Sequence, residues 1–280
     1  MSAKVISVSN QKGGVAKTTT VVNLAWALTR LGKSVLILDM DPQANASDTM
    51  GVNPYESQFT MVNVLTDKKK IISTSWTKTR NDMIYIVPSH IKLSAAERDL
   101  YGSVNSVMAL RTKLDRVALE NFDFILVDCP PSLGLLTINA LVASQSVIIP
   151  LEADSYYALQ GIDSLESTIE DIRELNPGLA IEGILLTMYD NRTSICKAMA
   201  EEIHTYFGND KVFKTIIRRN TAINQATLNH LTIFEHDRRA YGVYDYTNLA
   251  RELLHEPIED GGNEEADFDS DATAKATATR

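Results

Sequence analysis

Asn10-Gln11-Lys12-Gly13-Gly14-Val15-Ala16-Lys17-Thr18-Thr19-Thr20 is a stretch built for chemistry. Gly13 and Gly14 let the backbone curl closely around an anion. Lys17 places a positive charge within reach of the β- and γ-phosphates of a nucleotide, and the Thr18 hydroxyl suits Mg2+. The stretch follows an apolar run, Val5 to Val8, and precedes a helical one, Val21 to Leu31. A helix opening directly after the glycines turns its unpaired N–H groups and the positive end of its dipole toward the same anion. The common phosphate-loop pattern G-x-x-x-x-G-K-[ST] does not fit, because Gln11 and Ala16 stand where its glycines belong. The pattern that fits is K-G-G-x-x-K-[ST], with a second lysine, Lys12, ahead of the glycines.

Acids end two further apolar runs. Ser34 to Leu38 reads as a buried strand closing on Asp39-Met40-Asp41-Pro42-Gln43, and Phe122 to Val127 as another closing on Asp128-Cys129-Pro130-Pro131-Ser132. In parallel α/β sheets, ligands sit beyond the carboxyl ends of the strands, so these acids and the loop are expected at one end of the sheet. A carboxylate after an apolar strand suits the magnesium shell, often through water. Cys129 has no sequence-local base to activate it and reads as a small buried residue.

Those strands need a scaffold. Strand, helix and strand within the first 40 residues make a βαβ unit with a parallel pair. Further strands are expected over Met83 to Val87, Ser146 to Leu151, Ile181 to Met188 and Val212 to Ile217. Helices are expected over Thr60 to Leu65, Leu93 to Leu100, Val104 to Leu119, Leu135 to Ala143, Ser155 to Leu175, Ser194 to Phe207, Thr221 to His230 and Arg239 to Leu254. The alternation predicts an α/β fold: one doubly wound, mostly parallel sheet with helices on both faces.

The chain of 280 residues is 44% hydrophobic, enough for a large core. No apolar run approaches the ~20 residues a membrane helix requires. Met-Ser-Ala-Lys leads straight into a strand, without a signal peptide, and two distant cysteines fit a reduced cytoplasm. The net charge of −9 is unevenly placed: from Glu256 onward eight acids face two bases, a net of −6, which leaves −3 for residues 1–255. A local basic face therefore remains open. The expected division is one phosphate-loop domain over 1–256 and an acidic, disordered tail over 257–280.

Taken in order, KGGVAKTTT, DMDPQAN, FILVDCPPS, LLTMYDNRT and IIRRN resemble the deviant Walker A P-loop NTPases, the ParA/MinD family, over about residues 3–255. The ParA/Soj branch of DNA-partitioning ATPases is the best match. The resemblance implies ATP and Mg2+ as cofactors and hydrolysis of ATP to ADP and phosphate, slow and partner-stimulated. Lys12, Gly13, Gly14, Val15, Ala16, Lys17, Thr18 and Thr19 would hold ATP, with Lys12 reaching the nucleotide of a second subunit in a homodimer. Lys12, Lys17 and Asp41 would be catalytic, Asp41 by positioning water. Thr18 would bind Mg2+ directly, with Asp39 and Asp128 in its outer shell. The strand end at Met188 and the Arg218–Asn220 segment would take the base, Asn220 through its amide. Two positions depart from the family: Arg218 replaces a common proline, and Ala16 a usual glycine.

A set of cations in the last third, including Arg192, Lys197, Lys211, Lys214, Arg218, Arg219, Arg238, Arg239 and Arg251, could contact DNA phosphates without reading bases. The acids Glu201, Glu202, Glu235 and Asp237 intermingle with them. The resemblance carries Arg192 and Arg219 onto DNA-contacting positions, with Arg218 beside them. It implies a nucleoid-associated cytoplasmic switch that partitions plasmid or chromosome DNA with a ParB-type partner. The alternatives are a ParA-like positioner of a non-DNA cargo and a MinD-like membrane ATPase, the latter disfavoured by the acidic C-terminal region. No helix-turn-helix segment precedes the loop, so direct repression of an operon is not expected.

Overall fold

Apolar strands with no polar alternation belong inside a sheet covered on both faces. In the computed structural model, which describes residues 2–103, 105–154, 159 and 162–259, they form such a sheet. The strands are β1 (Lys4–Val8), β2 (Val35–Asp39), β3 (Thr77–Lys78), β4 (Ile84–Val87), β5 (Phe124–Asp128), β6 (Ser146–Glu152) and β7 (Ala180–Thr187). Their order is β3-β4-β2-β5-β1-β6-β7. All adjacent pairs are parallel except the short antiparallel β3–β4 pair, which the sequence did not announce.

The helices are α1 (Lys17–Arg30), α2 (Asn45–Thr49), α3 (Met61–Thr66), α4 (Leu93–Leu100), α5 (Ala109–Lys113) and α6 (Arg116–Asn121). They continue as α7 (Leu135–Ala143), α8 (Ile162–Arg173), α9 (Ser194–Phe207), α10 (Thr221–Leu228), α11 (Ile233–His236) and α12 (Tyr241–Leu253). Successive strand residues face opposite ways. Ile6, Val35, Ile37 and Leu126 pack with Leu24 and Leu28 of α1 and Tyr246 and Leu249 of α12. Val5, Leu36, Leu38, Ile125 and Val127 pack on the other face with Met61, Leu93 and Leu136. A third cluster joins β6 and β7 to α8 and α9 through Ile149, Leu186, Ile169 and Ile203. The expected doubly wound sheet is therefore present. Its register places Val8 and Asp39 on either side of Asp128, so the ends of β1, β2 and β5 lie level.

Two segments depart from expectation. The helix expected over Val104 to Leu119 is broken into a 3-10 turn at Ser106–Met108, then α5 and α6. Leu114 and Asp115 are extended, and the Asp115 carboxylate accepts the Ser73 N–H at 3.0 Å, which draws the chain out of the helix. The strand expected over Val212 to Ile217 runs beside β7 without a continuous ladder: it makes the isolated bridge Ile184–Val212 and a hydrogen bond from the Ile217 N–H to the Leu186 carbonyl at 2.9 Å, and a second bridge, Tyr189–Arg218, follows just beyond. Its ladder is interrupted because the N–H groups of Lys214 and Thr215 donate to the Glu252 carboxylate of α12 instead. Of the helix expected from Ser155, the described part is α8, and Ser155 itself lies outside the described residues. At the far end, the side chain of Asn248 in α12 hydrogen-bonds both N–H and C=O of Glu259. The rest of the expected tail, 260–280, lies outside the described residues.

Candidate functional site

The loop between β1 and α1 owes its shape to two left-handed residues, Gly14 at φ 79° and Ala16 at φ 67°. At Gly14 an added Cβ would meet nothing within 4 Å, so backbone angle rather than space selects glycine. Ala16 adopts the same region with a methyl group, at roughly 1–2 kcal/mol. It also occupies the N-cap of α1 and has no side-chain oxygen to offer, so the first N–H groups of α1 have no side-chain cap. Those are the groups a phosphate would take.

Lys17 is buried behind the loop, and its Nζ donates to the Lys12 carbonyl at 2.9 Å. Burial lowers its pKa, while Asp128 and Asp41 pull the other way. The Thr18 hydroxyl donates to Asp128 Oδ2 at 2.8 Å. The other carboxylate oxygen of Asp128 is buried without a hydrogen-bond partner. Beside it, Asp39 accepts the Ser47 hydroxyl at 2.6 Å, the Ser47 N–H at 2.9 Å and the Asp41 N–H at 3.2 Å. Burial, with a contribution from the Asp41 charge, pushes Asp39 up to about 7. Burial and the neighbouring Asp39 charge raise Asp128 well above the usual carboxylate range. Burial likewise pushes the Cys129 thiol up to about 12, which removes it as a nucleophile at neutral pH.

Two buried carboxyls on adjacent strands, one with an orphaned oxygen and a hydroxyl beside it, fit a divalent cation. Among the described residues no three acidic, histidine or cysteine side chains gather as a complete metal cage. Thr18 with Asp39 and Asp128 behind it therefore suits Mg2+, which keeps several waters and takes few protein ligands.

A cleft of about 410 Å³ opens over the loop. Gly13, Gly14, Ala16, Lys17, Thr18, Thr19, Asp41 and Met188 line it, with Ile223 and Ala226 of α10 across from them. Asp41 is held by the Gln43 N–H, which donates to its Oδ1 at 2.9 Å. Met188 stands at the end of β7 in the left-handed region, φ 54°, a conformation rare for a side chain of this size. Val15 is buried beneath, its carbonyl 3.4 Å from the Thr187 hydroxyl.

The remaining expected site residues do not line this cleft. The Lys12 ammonium lies 2.8 Å from Glu152 at the end of β6. Asn220 caps α10 by accepting the Ala222 N–H at 2.9 Å, which commits its oxygen and leaves its amine to donate. Arg218, Arg219 and Arg192 line a second cleft of about 640 Å³. There Arg218 grips Asp245 and lies against the Tyr241 and Tyr244 rings, 4.5 and 5.6 Å from their centroids. Arg192 pairs with Asp190 at 2.7 Å, and Arg219 with Asp154. Sequence reasoning missed Ser47, Glu152 and Asp154. Their partners lie 8, 140 and 65 residues away, and no local pattern marks them.

A glycine loop leading into a helix, an acid at the end of each of the adjacent strands β2 and β5 and a lysine on both sides of the glycines define a P-loop NTPase of the two-lysine class. Residues 3–181 match the AAA domain family. Over 251 residues the chain is 41% identical to the sporulation initiation inhibitor protein Soj of Bacillus subtilis, covering 89% of this chain and 98% of that one. It is 36% identical over 253 residues to the chromosome partitioning protein ParA of Caulobacter vibrioides, covering 90% and 94%. The crystal structure of cobyrinic acid a,c-diamide synthase from Mycobacterium smegmatis, with bound ATP analogue and magnesium, has a TM-score of 0.78 at 31% identity over 90% of this chain and 95% of that one. The chain belongs to the ParA/Soj family of partitioning ATPases.

Proposed function

We propose that this protein is an ATP-dependent dimerising switch that binds DNA without sequence preference and partitions plasmid or chromosome DNA. A ParB-type partner would stimulate hydrolysis and release. The observation that carries the nucleotide half is the Thr18–Asp128 hydrogen bond beneath uncapped α1 amides, next to a buried carboxylate oxygen that lacks a partner.

In this reading the loop amides and Lys17 hold the β- and γ-phosphates, and Thr18 holds the metal with Asp39 and Asp128 behind it. Bound Mg2+ supplies charge neutralisation on the phosphoryl oxygens. Asp41, on the cleft wall, orients the attacking water. Met188 and Asn220 serve the base, with Arg218 next to them in the chain fold. Lys12 leaves Glu152 to reach the nucleotide of a second subunit, so ATP becomes part of the dimer interface and favours the dimer by differential affinity. Arg192 and Arg219, with Arg218 beside them, contact DNA phosphates.

The DNA half is supported by the exposed guanidiniums of the second cleft. It is tested by mobility shift on a duplex of arbitrary sequence. Retention with ATP, absent with ADP, that weakens from about 50 to about 200 mM salt is the expected result. No retention with ATP at the lowest salt overturns it. A measured phosphate release that rises when a ParB-type protein is added tests the partner.

A further inference from the structure

The far wall of the nucleotide cleft is thinly packed. It is α10, which lines the cleft with Ile223, Ala226 and Thr227, and of its eight residues only Ala226 is buried. A helix of about two turns with so little buried apolar surface needs polar ties to keep one position. Its C-terminal end is closed by backbone bonds: the Leu231 N–H donates to the Ala226 carbonyl at 2.9 Å and the His230 N–H to the Thr227 carbonyl at 3.1 Å. That pairing puts His230, at φ 53°, in the left-handed place that glycine usually takes after a helix. The His230 carbonyl lies outside the pattern and accepts from Arg80 Nη2 at 2.9 Å.

Arg80 comes from the turn between β3 and β4, and it reaches both sides of the cleft. The same Nη2 donates to the carbonyl of Thr49, the last residue of α2. Thr49 and His230 both line the cleft, so one guanidinium ties its two walls together. Glu235 of α11 holds that guanidinium, accepting the Nε–H at 2.8 Å, and accepts the Thr232 N–H and hydroxyl at 3.0 and 2.9 Å as well. The Ile233 N–H donates at 2.8 Å to Asn23 of α1, another residue of the cleft. The chain leaves room for the arginine at Gly51, whose φ of 76° is left-handed and where an added Cβ would collide with Arg80 Nη1. Arginine suits the place because its rigid fork carries enough N–H donors for two carbonyls and a carboxylate at once.

We propose that Arg80 is a positioning residue for nucleotide binding: by joining Thr49 to His230 it sets the width of the cleft and holds α10 against the nucleoside part of ATP. This rests on the nucleotide half of the reading above. Ile223 and Ala226 of α10 stand across from the phosphate loop, an apolar surface suited to a base. The phosphates depend on the loop from Gly13 to Thr18, and none of Arg80's hydrogen bonds among the described residues reaches that loop. Loss of the guanidinium should therefore be felt by the nucleoside and not by the phosphates.

The test uses the full-length protein as wild type, Arg80→Ala, Arg80→Lys and Asn81→Ala. Asn81 is the next residue of the same turn and bonds Thr29 of α1 at 3.1 Å, outside the cleft lining, so its variant controls for a general loosening of the turn. Each protein is titrated by calorimetry with Mg2+-ATP and with Mg2+-tripolyphosphate, which has the phosphates without the nucleoside. Arg80→Ala should bind ATP about tenfold more weakly, the equivalent of one hydrogen bond to a charged group, and tripolyphosphate within about twofold of wild type. Arg80→Lys keeps the charge without the fork and should fall between the two, which preserves the readout if the alanine chain is unstable. Asn81→Ala should match wild type with both ligands. Unchanged ATP affinity in the Arg80 variants, an equal loss for ATP and tripolyphosphate, or the same ATP loss in Asn81→Ala overturns the positioning role. A wild-type chain that binds neither ligand refutes the nucleotide reading itself.

Discussion

Replacing Thr18 by alanine removes one hydroxyl from the floor of the nucleotide cleft, with consequences that differ with and without metal. In the metal-free protein the hydroxyl gives Asp128 a 2.8 Å hydrogen bond, and the other oxygen of that carboxylate has no partner. A hydrogen bond to a charged group contributes about 1.5–3 kcal/mol. Asp128 already lies well above the usual carboxylate range, and loss of the hydroxyl raises it further. In the metal-free protein the expected loss of folding stability is about 1–3 kcal/mol, the cost of that buried hydrogen bond. With Mg2+ and nucleotide the hydroxyl is the proposed direct ligand. The full about 1.5–3 kcal/mol then appears as a loss of about 10- to 150-fold in Mg2+-dependent ATP affinity or turnover. Urea denaturation measures the first effect. ATP titration with and without Mg2+, together with phosphate release, measures the second. Thr18→Ser keeps the hydroxyl and should remain within a few-fold of wild type. A Thr18→Ala protein that binds and hydrolyses Mg2+-ATP like wild type, or a serine variant as impaired as alanine, refutes the reasoning.

Three other outcomes are expected. Ala16→Gly relieves a left-handed alanine worth about 1–2 kcal/mol but adds about 0.5–1 kcal/mol of chain entropy to the unfolded state. The urea midpoint should hold or rise slightly, and a fall equivalent to more than about 1 kcal/mol contradicts the strain argument. For the acid pair the sign follows from burial: a carboxyl whose folded pKa is raised binds more protons when folded, so metal-free stability falls as pH rises from near 4 through about 7 for Asp39. Mg2+ with nucleotide relieves that charge, so the gain in Tm it produces should be larger at pH 8 than at pH 6, and an equal or reversed gain counts against the metal placement. Arg192→Ala and Arg219→Ala should each flatten the slope of log affinity against log salt by about 0.9 for every phosphate contact removed, and an unchanged slope in both removes them from the interface.

The centre of the fold was legible because its strands are buried on both faces. Val5 to Val8, Val35 to Leu38 and Phe124 to Val127 are almost continuous apolar runs, the last two ending at Asp39 and Asp128, and their register follows from parallel pairing. The P-loop was legible because lysine, glycine and threonine sit within one turn of chain. What was not legible depends on long-range side-chain bonds. Asp115 breaks a helical pattern by taking the Ser73 N–H, and Glu252 interrupts a strand pattern by taking two N–H groups. The left-handed state of Ala16 was hidden because alanine carries no signal for it. The acid that each arginine of the second cleft pairs with was hidden too, since intermingled charges in sequence do not show their partners.

The central claim is that ATP assembles this chain into a dimer and hydrolysis takes it apart. Light scattering of the full-length protein tests it directly, with ATP, with ADP and with the Asp41→Ala variant in ATP. The account expects monomer mass in ADP, a shift toward dimer mass in ATP and a persistent dimer in Asp41→Ala. A mass that ignores nucleotide, or an Asp41→Ala protein that reverts to monomer as fast as wild type, contradicts it.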